Sequence, residues 1–155
     1  CRRYARFWVI LFHFHATPVI IKQMVKIAII EDDQAISQMY RMKFEAAGFA
    51  VEVAGDGKAG IMLVQRTHPD IILLDLQMPH LNGADTLEHI RAYSWGKDIP
   101  VIVLTNLGHE EAPKKLQHLG VHSYIVKAEL TPSQVVKRVE EALTERGVAV
   151  ANIHG

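Results

Sequence analysis

The run Ile71-Ile72-Leu73-Leu74-Asp75 constrains the fold more than any other part of the chain. Four aliphatic residues in succession, two of them β-branched, read as a strand covered on both faces, the environment of a parallel sheet. Pro79 lacks the N–H that a ladder requires, so the strand is over before it. Asp75 then stands at the C-terminal end of a buried parallel strand, where open α/β sheets form their ligand crevice. A strand-end aspartate also serves to cap turns, so Asp75 alone leaves both readings open.

From Met24 onward, apolar β-rich runs alternate with helical patterns. The first strand is expected over Val25–Ile30 and a helix over Gln34–Ala47, its buried side built from Ile36, Met39, Tyr40, Met42 and Phe44. Gly48 stops that helix, and Phe49–Ala54 is a second strand. A second helix runs over Lys58–Thr67 until His68-Pro69 breaks it. After the third strand, Asn82 caps a helix to about Tyr93. A fourth strand covers Ile99–Thr105, a brief fourth helix ends at Leu119-Gly120, and a fifth strand covers Val121–Val126. Pro113 belongs in a first helical turn only, so the fourth helix is expected from about Ala112, with His109–Glu111 as loop. Thr131 caps a last helix, Pro132–Arg146, with proline at its favoured first position. Five β-α units joined by short loops predict a doubly wound, five-stranded parallel α/β sheet with right-handed crossovers.

Residues 1–23 differ in composition from the rest of the chain. Arg2, Arg3 and Arg6 precede Phe7-Trp8-Val9-Ile10-Leu11-Phe12, but His13, His15 and Pro18 interrupt the run. A membrane span needs about 20 apolar residues, and no small-residue cleavage signal follows. We read 1–23 as a non-native or upstream extension, 24–147 as one folded domain, and 148–155 as a short tail. Lys plus Arg and Asp plus Glu both number 17, so no basic surplus calls for nucleic acid or an anionic membrane. Cys1 is the sole cysteine, which excludes an internal disulfide and fits the reducing cytoplasm. The histidines form no ligand-spaced motif.

The polar residues that stand out all fall at strand C-termini: Asp32 and Asp33 after the first, Asp75 after the third, Thr105 at the fourth and Lys127 after the fifth. Three carboxylates in one crevice repel one another unless a cation neutralises them. Hard oxygen donors in an incomplete cage suit Mg²⁺, which keeps waters and accepts phosphate oxygens. The Lys127 ammonium is a point charge suited to phosphate, and the Thr105 hydroxyl can donate to a further phosphate oxygen. The set describes phosphoryl transfer to a carboxylate, with Asp75 as nucleophile.

With the acidic pair, the LLDLQMP run around Asp75, the Leu104-Thr105 pair and the SYIVK run holding Tyr124 and Lys127, the chain resembles the receiver domain of two-component response regulators. As a single domain it is similar to the chemotaxis response regulator. Asp75 and Thr105 are 30 residues apart, and Thr105 and Lys127 are 22 apart, as in that family. The resemblance implies a flavodoxin-like strand order 2-1-3-4-5 and Asp75 as phosphoacceptor. It implies Mg²⁺ held by Asp33, Asp75 and the Gln77 backbone carbonyl, with Asp32 nearby through water, and Thr105 with Tyr124 as a switch pair. It also implies a sensor histidine kinase or phosphotransfer protein as donor and an output protein as recipient. Self-association, if any, would be a weak dimer through the face of the fourth helix, fifth strand and fifth helix. One departure is Ala128, where the family places a proline whose peptide is usually cis. Because a non-proline cis bond costs about 2.5–4 kcal/mol, the Lys127–Ala128 peptide is expected to be trans. A binding-only domain of the same family would have lost an acidic residue or the lysine, and all are present. A hydrolase of the haloacid dehalogenase type needs a second aspartate where Gln77 stands. No helix-turn-helix follows, so DNA binding by this chain alone is not expected.

Overall fold

A computed structural model describes residues 24–148 and residue 150. The expectations about 1–23, and most of those about 148–155, lie outside these residues. Five strands, β1 (Lys26–Ile30), β2 (Ala50–Ala54), β3 (Ile71–Leu74), β4 (Val101–Thr105) and β5 (Ser123–Val126), form one parallel sheet in the order β2-β1-β3-β4-β5. Four α-helices cover it: α1 (Gln34–Ala46), α2 (Gly57–Thr67), α3 (Gly83–Arg91) and α4 (Pro132–Glu145). The flavodoxin-like architecture is therefore the one expected, with strand boundaries displaced by two residues or fewer.

The alternation of strand side chains divides the core in two. Ile27, Ile29, Ile71, Leu73, Ile102, Leu104 and Ile125 pack with Phe44 of α1 and with Val135, Val139 and Leu143 of α4. Ala28, Ile30, Ile72, Leu74, Val101 and Val103 pack on the other face with Leu63 and Val64 of α2 and with Leu87 and Ile90 of α3. Every residue of β3 and β4 is buried. This is why those strands are unbroken aliphatic runs rather than alternating ones.

Each α-helix opens on a side-chain cap. Asp33 accepts from the Ile36 N–H at 2.9 Å, Asp56 from Ala59 at 2.8 Å and Asn82 from Asp85 at 2.9 Å. Thr131 and Gln134 form a reciprocal box at α4. Gly83, the first residue of α3, is pressed against the end of β3. A Cβ there would lie 2.7 Å from the Leu76 Cα and also collide with the Asp75 carbonyl.

The segment between β4 and β5 departs from expectation. Instead of a fourth α-helix from about Ala112, it holds two short 3₁₀ turns, His109–Glu111 and Lys114–His118. Proline's ring excludes helical geometry at the residue before it, and Ala112 is extended at φ −59°, ψ 130°. Pro113 is likewise extended, at φ −57°, ψ 129°. The few residues left before Gly120, which has φ +64°, are too few to sustain a helix. The self-association face expected from a fourth helix therefore lacks that helix. The second turn is strapped to α3 instead: Lys115 pairs with Asp85 and Glu88, and the Arg91 guanidinium donates to the carbonyls of Leu119 and Gly120. No peptide among the described residues is cis, so Lys127–Ala128 is trans as expected. No described helix is long and apolar enough to cross a membrane.

The backbone contact at Gly83 yields a prediction. Gly83→Ala should destabilise the domain by about 1–3 kcal/mol, as overpacking does. Urea denaturation monitored by circular dichroism measures it, and an unchanged midpoint would show that α3 can withdraw from β3 freely.

Candidate functional site

Strand register assembles the site. Ile30 of β1 is level with Leu74 of β3, so the next residue of each strand, Glu31 and Asp75, emerges side by side at the C-terminal edge. Both are buried, each about 5% exposed. Glu31 still belongs to the ladder, since its N–H bonds the Ala54 carbonyl at 3.0 Å, and the Asp75 N–H bonds the Ile30 carbonyl at 3.0 Å. Carboxylate oxygens of Glu31, Asp32 and Asp75 lie within 4.8 Å of one another. These are hard donors on two adjacent strand ends with room for waters, a donor set that fits Mg²⁺.

This trio corrects the sequence reading. Asp33 was expected beside Asp32 as a metal ligand, but its carboxylate caps α1 through the Ile36 N–H. The chain turns into the helix at Asp33, which aims that side chain at the free N–H groups rather than at the crevice. Glu31, not singled out from the sequence, takes the vacant place. Its signal was present in the strand register: it follows β1 as Asp75 follows β3.

Lys127, directly after β5, completes the charge balance. Its ammonium lies 2.5 Å from a Glu31 oxygen and 3.3 Å from an Asp75 oxygen, with all three side chains 10% exposed or less. Burial pushes the Glu31 carboxyl up to about 7, against the hydrogen bond from Lys127, and the Asp75 charge pushes the same way. For Lys127, burial alone would lower the pKa; the hydrogen bond it donates to Glu31 and the charge of Asp75 outweigh it and hold it above that of an ordinary lysine. The lysine therefore stays charged. Gln77 turns back over the site, its N–H reaching an Asp75 oxygen at 3.2 Å.

The two expected switch residues meet at a single residue, Leu107. Thr105 is fully buried, and its hydroxyl oxygen accepts from the Leu107 N–H at 3.4 Å. The Tyr124 hydroxyl donates to the Leu107 carbonyl at 3.0 Å. Leu107 thus links the buried Thr105 side chain at the end of β4 to the half-buried tyrosine on β5. Sequence reasoning singled out both hydroxyls but not this connection, which depends on how the chain turns after β4.

The fold has counterparts among known proteins. The model of the response regulator receiver domain matches residues 27–140. A probable transcriptional regulator, ycf27, from Porphyridium aerugineum is 31% identical over 130 residues, covering 84% of this chain and 52% of the relative. The chain spans about half the length of the curated relatives it matches. The chemotaxis response regulator CheY4 of Vibrio cholerae superposes with a TM-score of 0.72 at 27% identity, covering 78% of this chain and all of that one. The receiver domain of sensor histidine kinase PA1611 from Pseudomonas aeruginosa, described with a magnesium ion coordinated in its active-site cleft, superposes with a TM-score of 0.69. It shares 22% identity and covers 77% of this chain and 97% of its own.

The division of labour among the three consecutive acids can be tested. Asparagine caps helices about as well as aspartate, so Asp33→Asn should leave both stability and Mg²⁺ affinity near wild type. Asp32→Asn should weaken Mg²⁺ binding at least tenfold, since it removes a ligand charge from an already incomplete cage. Titration of Mg²⁺ by calorimetry or NMR separates the two; a large loss in Asp33→Asn would return that residue to the site.

Proposed function

The chain belongs to the family of response regulator receiver domains, and we propose that it is a phosphorylation-activated switch with Asp75 as phosphoacceptor. The observation that carries this reading is the buried Asp75 carboxylate set between the Lys127 ammonium and two further carboxylates at one strand edge. In this reading an Asp75 oxygen attacks phosphorus. The bond between phosphorus and the donor's nitrogen or oxygen breaks, and the leaving group departs with that electron pair. The donor is the phosphohistidine of a sensor kinase or phosphotransfer protein, or a small acyl phosphate. Mg²⁺, bound by Glu31, Asp32, Asp75 and the Gln77 carbonyl, supplies positive charge at the phosphoryl oxygens when present. Support for the metal comes from the three-carboxylate donor set.

The protein's own groups do the rest. Lys127 faces the oxygens of Asp75 and supplies a fixed charge for the incoming phosphoryl group. Thr105 releases the Leu107 N–H and donates its hydroxyl to a phosphoryl oxygen. Because Tyr124 holds the carbonyl of the same Leu107, displacement of this residue moves the tyrosine and alters the surface around β5. On this reading an output protein in the cytoplasm reads that surface. Its identity as a helical recognition face does not carry over, because the segment after β4 is a pair of 3₁₀ turns.

Incubation with acetyl phosphate and Mg²⁺, read by intact mass, tests the reading. Wild type should gain one phosphoryl group; Asp75→Asn should gain none, and excess chelator should prevent labelling. Lys127→Ala should label at least tenfold more slowly. It should bind Mg²⁺ as well as or better than wild type, because the ammonium competes with the metal for the same oxygens. Equal labelling of wild type and Asp75→Asn would overturn the proposal.

Leu107, half-buried beside Thr105, is apolar where an attacking water must pass, while Gln77 can hydrogen-bond that water. Leu107→Ala should therefore shorten the lifetime of phosphorylated protein by about threefold or more, measured as loss of the added mass after donor removal. An unchanged lifetime would remove Leu107 from the water path.

A further inference from the structure

A second set of side chains encloses Tyr124. The His109 ring, in the turn after β4, lies against the Tyr124 ring with centroids 5.1 Å apart and planes at 45°. Its Nε2 is 3.6 Å from a carboxylate oxygen of Glu129. Glu129 sits two residues after Lys127, in a turn closed by its own N–H on the Val126 carbonyl at 2.9 Å. The histidine thus reaches from the loop that follows Thr105 to the loop that carries Lys127, across the ring between them. Tyr124 is held at both ends: its hydroxyl by the Leu107 carbonyl and its face by His109.

Resting on the reading of Tyr124 as the switch residue, we infer that His109 is a positioning residue for it, held over the ring by Glu129 only when the imidazole is protonated. Neutral imidazole has no ionic attraction for Glu129, so the cover loosens as the imidazole gives up its proton. The other titratable groups around the histidine do not compete for it. Glu111, in its own turn, receives the Gly108 N–H at 2.9 Å. The Tyr124 phenol is pushed above its ordinary range by burial, then by the charges of Glu111 and Asp75, and stays neutral. Glu110 shares the turn and is exposed. Both His109 and Glu129 side chains are about 60% exposed, so the pair is a weak one and its effect is graded rather than all-or-none.

The test uses the full chain, free of metal, with ¹³C-labelled tyrosine rings; the Tyr124 signal is assigned with Tyr124→Phe. Relaxation dispersion measures the exchange rate of the ring from about pH 8 to about pH 5.5. In wild type the rate should fall about two- to fivefold on acidification, the range an exposed ion pair supports. Glu129→Gln, a surface change that leaves the fold intact, should flatten the profile at the faster rate. His109→Phe should also be flat, but slower than His109→Ala, because it keeps the cover without the charge. A flat wild-type profile, or a Glu129→Gln profile that matches wild type, would overturn the inference. Addition of Mg²⁺ and beryllofluoride to wild type is the separate arm for the switch itself. If Tyr124 does not respond there, the switch reading fails; if it responds while the pH profile is flat, only the clamp fails.

Discussion

Everything at the functional edge depends on one electrostatic constraint: two buried carboxylates, Glu31 and Asp75, sit next to each other and share one ammonium. Strand register makes the juxtaposition unavoidable, because Ile30 and Leu74 are paired and the chains continue together. Burying like charges side by side costs several kcal/mol unless a cation compensates. Lys127 is that cation, and it arrives from β5, two strands away from β3, so the constraint ties three strands together at their C-terminal ends. The stacked aliphatic layers beneath are what hold the register. A slip of one residue in β1 would exchange the two core faces and carry Glu31 out of the crevice.

That constraint also explains which parts of the site were legible in the sequence. Asp75 and Thr105 each close an unbroken apolar run and Lys127 follows the shorter pair Ile125-Val126, so their position at a strand end came from hydrophobic pattern. The three acids after Ile30 did not separate in this way. Consecutive residues of similar chemistry divide between a ladder, a crevice and a helix cap according to where the backbone leaves the strand. The hydrophobic pattern fixes that point only to within a residue or two. Here the ladder runs on through Glu31, and Asp33 already serves α1. Pairing the expected strands residue by residue would have singled out Glu31, because it occupies the same station on β1 that Asp75 occupies on β3.

The parallel sheet and its order were legible for a different reason. Doubly buried strands and capped helices each carry a redundant signal, with apolar period and terminal residues pointing to the same boundaries. The segment 109–120 lacks that redundancy. Pro113 is compatible with a helical first turn by its own ring, but it keeps Ala112 out of a helix, is itself extended, and leaves too few residues before Gly120 to sustain one. The consequence reaches past local structure. A continuous helix would present its own surface beside β5, whereas the two short turns are fastened to α3 through Lys115 and Arg91. Whatever reads this side of the domain meets side chains anchored to α3 at one end and the His109 turn at the other.

The Leu107 peptide shows how little energy is needed to set such an edge in motion. The Thr105 hydroxyl and the Leu107 N–H stand 3.4 Å apart, near the limit of a hydrogen bond. A neutral bond of ordinary geometry contributes about 0.5–1.5 kcal/mol, and one to a charged group about 1.5–3 kcal/mol. Exchanging the long neutral contact for a bond to a phosphoryl oxygen would therefore gain about 1–2 kcal/mol. That alone shifts a two-state balance roughly five- to thirtyfold, at 1.4 kcal/mol per factor of ten. Against it stands the 3.0 Å bond from Tyr124 to the carbonyl of the same residue, which must either move with Leu107 or break. If it moves, the tyrosine is carried along at little cost; if it breaks, most of the gain is consumed. The two hydroxyls bond the peptide units on either side of Leu107, and the packing of Leu107 and Tyr124 against one face of the core favours their concerted motion over independent rearrangement.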